Sequence, residues 1–318
     1  MKYLNENLTE KDLKEFAERV KKAAEAVYGN NSNVRIEKVN KNNETSRTAL
    51  VIISHGKTCS PSIYLENYLN RHFLGESFDE LCREIFDLYE QAKDVKESGM
   101  HTTVQDICNY NKVKDRICMK LVNAEKNRNL PNIPCDEFSD LQTVFYILLD
   151  KNVSTMTITH EIMNMWEVSV CDLYKAAVKN TPKMLKGIVA SLQHLYMQEI
   201  TGGFHSSFGL SDSDEEYTIK KEKDLMYVAT NETKCFGASV IFYKNLLADF
   251  ADVIGDDFYI LPSSVHEVIF VPAASFPGGS IDLKNLVKEI NCTEVSEDET
   301  LSNNIYFYSR RFQNIEML

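Results

Sequence analysis

DDFYILPSSVHEVIFVP (256–272) decides the class of fold. Two apolar runs, Asp257–Leu261 and Val268–Val271, flank Pro262-Ser263-Ser264-Val265-His266-Glu267, a stretch with turn chemistry. Strands joined this closely pair antiparallel, so the sheet is not made of βαβ crossovers alone. Downstream, Asp282–Ile290 carries Leu283, Leu286, Val287 and Ile290 at helical spacing. Ile305–Tyr308 reads as a last short strand. Upstream, Leu225–Thr230 reads as a strand, and Gly237–Val253 as one helix through Ile241, Leu246, Phe250 and Val253.

Between them the pattern breaks. TGGFHSSFGLSDSDEEY (201–217) is rich in Gly, Ser and acids, which predicts a flexible loop or linker over 201–224. It separates an N-terminal α+β region, 1–200, from a C-terminal α/β region, 225–318. Whether the two pack as one domain stays open in the pattern. In the first region, Thr9 with Asp12 caps a helix over 9–28, whose buried face is Leu13, Phe16, Val20, Ala23 and Val27. The β-branched runs 33–39 and 48–54 read as a hairpin, followed by an apolar run at 62–65. Ser77 and Glu80 form a capping box for a helix with Leu81, Ile85, Leu88 and Ala92 inside. Residues 94–112 read as an irregular connection. Strands follow at 116–122 and 141–149, the second apolar enough to be covered on both faces, although Ser139 with Gln142 would also cap a helix there. One or two helices span 156–178 and end at Asn180-Thr181-Pro182. A further helix is expected over 184–200. Together these predict an α+β (mixed α/β) fold with a partly antiparallel central sheet and flanking helices.

Composition narrows the function classes. The chain has 318 residues, 43% of them hydrophobic, and a net charge of -12. No run of about 18 apolar residues is present, so no membrane span is expected. MKYLNENLTEKDLKEF lacks the apolar core of an export signal. The eight Cys form no CxxC or CxC pair, which suits reduced thiols in a cytoplasm rather than a zinc ribbon or redox motif. Residues 231–318 hold 13 acidic and 6 basic side chains, a balance that opposes nucleic acid. Arg35, Lys38, Lys41, Arg47 and Lys57 make the one positive block, read as a solvated hairpin.

LMYVATN (225–231), FGASVIFY (236–243), DDFYILPSSVHEVIFVP (256–272) and LSNNIYFY (301–308) carry a recognisable pattern. SPSIYLENYL (60–69) and KLVNAEKNRNLPNIPCDEFSDL (120–141) fit it too. The chain, from about residue 45 to 310, resembles a bacterial family of unknown function. That family consists of uncharacterised proteins of gut-type anaerobes, often in mobile elements. The resemblance implies no reaction, cofactor or catalytic residue.

The most chemical stretch is 262–267. Ser263, Ser264, His266 and Glu267 present hydroxyls, an imidazole and a carboxylate at one turn, the ingredients of a hydrolytic or binding cluster. If His266 and Glu267 both lie in a strand, alternation points them apart. A structural His and a solvated Glu on a Ser-capped turn is the plainer account. Asn231 and Gly237 bracket a strand–loop–helix that would suit an anion, although the loop ETKCF matches no phosphate-binding fingerprint. An Asx-turn and a close helix contact explain it better. His160-Glu161 fails as a zinc motif, because Asn164 stands where a second His is needed. Asp136, Glu137 and Asp140 read as capping and solvated acids, Asn123, Glu125 and Asn127 as a polar turn, and His205 as part of a lid or docking loop.

No complete catalytic signature is present. The expected function is therefore a non-enzymatic protein-binding or regulatory module with a host protein as partner. It involves neither membrane nor nucleic acid, and no cofactor or metal. The alternative is a hydrolase-type enzyme or small-ligand binder at 262–267, with His266 as base and Ser263 or Ser264 as nucleophile.

Overall fold

The computed structural model describes residues 4–55, 60–93, 104–128, 132–149, 155–193, 216–220, 224–262, 264–276 and 278–318. The chain divides into two compact units, Met1–Gly99 with Ser296–Asp298, and Met100–Val295 with Glu299–Leu318. The sequence division at 201–224 does not coincide with this one.

The first unit is a helix-backed sheet. α1 (Glu10–Tyr28) starts at Thr9, whose side chain accepts from Asp12 N while the Asp12 carboxylate accepts from Thr9 N. The reciprocal bonds satisfy helix-end donors that would otherwise lack partners. Leu13, Phe16, Ala17, Val20 and Ala24 face the core. Val27, expected inside, is exposed, because the four-residue step from Ala24 turns Tyr28 inward instead, onto Phe86 and Tyr89. β1 (Ser32–Asn40) and β2 (Ser46–Ser54) form the predicted hairpin, and β3 (Ser62–Tyr64) adds to β2. α2 (Glu66–Phe73) was not legible as a helix. α3 (Phe78–Lys93) buries Leu81, Ile85 and Tyr89, while Leu88 faces out. Tyr89 replaces Leu88 inside because the four-residue step from Ile85 keeps to the stripe.

The second unit holds two sheets. β4 (Ile117–Asn123), β5 (Cys135–Phe138), β6 (Leu141–Leu148) and β7 (Thr155–Thr157) form one. β6 is central, with β4 along one edge and β5 then β7 along the other. That explains its near-continuous apolar run. The acidic cluster falls apart here. Asp136 and Glu137 are exposed on β5, whereas Asp140 accepts from Ser302 Oγ (2.5 Å), Asn304 Nδ2 (2.9 Å) and the Tyr306 hydroxyl. Asn123 bonds Leu301 O and Lys126 N, as a polar turn should.

The other sheet runs β14-β13-β11-β12-β10-β8-β9. Its strands are β8 (Gly187–Ser191), β9 (Tyr217–Ile219), β10 (Tyr227–Asn231), β11 (Phe258–Leu261), β12 (Val268–Pro272), β13 (Tyr306–Ser309) and β14 (Asn314–Met317). All neighbours are antiparallel except β8 and β9. The α+β class with a largely antiparallel sheet is thus present.

Several element readings change. Residues 187–191 form β8, a strand buried at every position, where a helix was expected. Pairing with β10 satisfies its backbone, and full burial hides the two-residue period that would identify a strand. β9 lies within the expected linker. Pro182 does not stop the preceding helix. α6 (His160–Met165) is followed by α7 (Val170–Met184), which keeps Pro182 in its last turn. The helix expected over 237–253 is broken into a 3-10 turn, Gly237–Phe242, and α8 (Leu246–Ile254). Asn245, with φ +63°, makes the break. α9 (Gly279–Thr293) extends beyond the predicted span. Phe250, Phe258 and Phe270 pack ring to ring in the core of this unit, with centroids 4.9–5.0 Å apart. The described part of 94–112 contains two short helices, α4 (Val104–Ile107) and α5 (Tyr110–Val113).

Candidate active site

The site is built on the turn after β10. Asn231, fully buried, ends that strand. Its Oδ1 accepts from Thr233 N (3.1 Å), Thr233 Oγ1 (2.9 Å) and Cys235 N (3.3 Å), and its Nδ2 donates to Cys235 O (2.8 Å). One side chain thus folds the 231–235 loop around itself, as an Asx-turn does. Lys234 and Phe236 both have left-handed backbone, φ +55° and +56°. Such conformations are unfavourable for non-glycine residues and persist only where neighbours enforce them. They set Cys235 at the crest of the turn, half-buried.

Gly237 closes the turn. A Cβ there would collide with Thr230 Oγ1 and His266 O, and stand 2.8 Å from Asn231 N. Thr230 Oγ1 itself donates to His266 O (2.7 Å), which ties the turn to the start of β12. Asn231 and Gly237, expected as an anion site, come together here as packing. No methyl group fits beside Gly237, and the Asn231 oxygen and nitrogen both bond within their own loop.

His266 stands over this turn. Residues 265–267 precede the strand, so alternation does not dictate their directions. Its ring stacks on Phe236 at 5.9 Å and an interplanar angle of 12°. Nδ1 accepts from Phe236 N (3.3 Å), and Nε2 faces Glu299 Oε1 at 3.6 Å, an ion-pair distance. The Cys235 side chain is near enough to act on the ring electrostatically. Burial opposes charging this imidazole, but Cys235 and the Glu299 charge outweigh it and raise its pKa to about 10. Charging Nδ1 forfeits the contact from Phe236 N. At 3.3 Å that contact is long, and its loss costs little.

Ser264 is buried, and its Oγ accepts the His266 N–H (3.0 Å). It pairs across to Thr300 as an isolated bridge. Burial raises the Glu267 carboxyl above its usual value, while the His266 charge and a bond from Ser264 counteract the rise. Ser264, His266 and Glu267 therefore share one neighbourhood. Ser263 and His205 lie outside the described residues.

Sequence reasoning missed Cys235 and Glu299. Cys235 sits in the loop ETKCF, whose pattern points to an Asx-turn and gives a lone Cys no role. Glu299 stands in SEDET, where nothing separates it from its acidic neighbours. Among the described residues, no group of three or more His, Cys, Asp or Glu is arranged to hold a metal ion. Chemically, a thiol, an imidazole and a carboxylate in sequence make a nucleophile, a proton carrier and an orienting charge.

The chain belongs to the family of unknown function DUF5688, whose model matches residues 13–310. No curated protein and no solved structure matches it.

Proposed function

We propose that this protein is a thiol-dependent enzyme of the hydrolase type. Cys235 is its nucleophile, His266 its proton carrier, and Glu299 the charge that orients the ring. One observation supports the reading: His266 lies stacked on Phe236 and paired with Glu299, directly beside Cys235 on a turn that Asn231 holds in shape. An imidazolium beside a sulfur is the setting that favours the thiolate nucleophile in general. Attack of sulfur on an acyl carbon expels the leaving group, which takes its proton from His266 and leaves a thioester. Water then gives a proton to His266 and a hydroxyl to the acyl carbon, and the acid departs with the thiolate restored. This reading puts the nucleophile at Cys235 rather than at Ser264. Ser264 Oγ is buried and already accepts a backbone bond. The reading suits a reducing cytoplasm, where a free thiol persists.

The test is chloroacetamide labelling of the whole chain at neutral pH, read by peptide mass spectrometry. Cys235 should react at least about tenfold faster than the exposed Cys108, Cys171 and Cys292, and His266→Ala should remove the advantage. Equal rates would end the enzyme reading. They would leave a second one, the binding module, which draws on the adjacent and exposed Phe73 and Leu74 at the end of α2.

A further inference from the structure

We infer that the first unit carries a binding site for a small organic cation, an alkylammonium or guanidinium with a short aliphatic stem. A cavity of about 720 Å³ lies against α1, the β1–β2 hairpin and the start of α2. That volume is in the range of small-molecule sites, roughly 300–1,000 Å³, and far above the needs of one ordered water. Six glutamates and two lysines line it, so its field favours positive charge.

Glu66 supplies a second, independent observation. It lines the cavity and is only 5% exposed. Its Oε1 accepts the Thr48 N–H at 2.5 Å. Its Oε2 is buried and has no hydrogen-bond partner. Native proteins rarely bury a carboxylate oxygen without a donor. A purely structural role, fixing β2 through Thr48 N, accounts for one oxygen and leaves the other unexplained. A bound N–H donor accounts for both.

The surroundings select the class of donor. A divalent metal wants several oxygens around one point, and no such group of carboxylates stands among the described residues. Ammonium and guanidinium groups are satisfied by one charged acceptor and a few neutral ones. Leu13 and Ala17 of α1 and Ile36 of β1 line the same cavity and offer apolar surface to a methylene stem.

Isothermal titration calorimetry on the full chain tests this with agmatine, which carries a guanidinium and an ammonium at the ends of a butyl stem. Butylammonium, butyrate and magnesium chloride serve as the other titrants. Saturable binding of agmatine that weakens with added sodium chloride is expected, with none for butyrate. Glu66→Gln, which keeps an acceptor for Thr48 N, should weaken agmatine by at least about tenfold, the scale of one charge-assisted bond. Glu18→Lys, on the exposed rim of α1, should weaken it as well. This second variant decides the matter if Glu66→Gln fails to fold. The site is overturned by no saturable heat with agmatine or butylammonium up to about 10 mM. It is equally overturned by unchanged affinity in the variants, or by magnesium displacing the amine.

Discussion

Asn231 and Glu66 are both buried polar side chains beside a strand, and they differ in one respect. The Asn231 carboxamide oxygen and nitrogen both meet partners from its own loop. Glu66 has one oxygen bonded and one bare. A polar group whose capacity is used locally is part of the scaffold, whereas one left unmatched marks where something else is to be bound. On the proposed reading the Asn231 turn holds Cys235 in place, and the Glu66 cavity is the better place to seek a ligand.

The contrast can be broken most decisively at Gly237. Gly237→Ala puts a methyl against Thr230, His266 and the Asn231 backbone, where only main chain and a held hydroxyl could yield. We expect a loss of about 3 kcal/mol in urea unfolding, the upper end of ordinary overpacking. A loss below about 0.5 kcal/mol would show that the turn is loose. Next in size is Asn231→Ala, which strands the Cys235 carbonyl and the Thr233 and Cys235 amides. The expected cost is about 2 kcal/mol in the same assay, together with loss of any excess reactivity at Cys235.

His266 sharpens the comparison through pH. Its folded value, about 10, lies above the ordinary 6.5. Protonation of the ring thus favours the folded state fully below about pH 6.5, and that contribution is lost as pH rises through about 10. NMR of the ring proton should give a midpoint well above 6.5, and Glu299→Gln should lower it. Glu299 is partly exposed and screened by water, so its removal should cost less than about 1 kcal/mol. A wild-type midpoint at or below 6.5 would remove the imidazolium from the mechanism. The smallest effect is expected at Glu66→Gln, within about 1 kcal/mol of wild type, because removing a buried charge offsets the imperfect amide. A loss above about 3 kcal/mol would make Glu66 a scaffold residue like Asn231.

The legible parts of this fold were those where local chemistry and burial agree. The Thr9–Asp12 capping box, the 33–54 hairpin and the strands around 262–267 each declare themselves within one short stretch of chain. The strand at 187–191 was hidden because full burial on both faces erases alternation. Pro182 misled because a proline near the end of a helix need not stop it at once. The candidate site was half legible. Ser264, His266 and Glu267 are neighbours in the chain, and their residue types alone point to chemistry. Cys235 and Glu299 reach His266 only through the packing of β10, β12 and the segment after α9.

The amino-acid sequence by itself determined the α+β class, the antiparallel pairing of β11 with β12, and the acidity of the chain. These follow from periodicity, turn residues and charge, which are properties of short segments. The tertiary structure alone decided that a thiol and a carboxylate converge on His266. It also decided that Gly237 is a packing point and that Glu66 keeps one oxygen unpaired. Convergence, steric fit and unsatisfied bonding depend on which segments meet in space, and no local pattern encodes that.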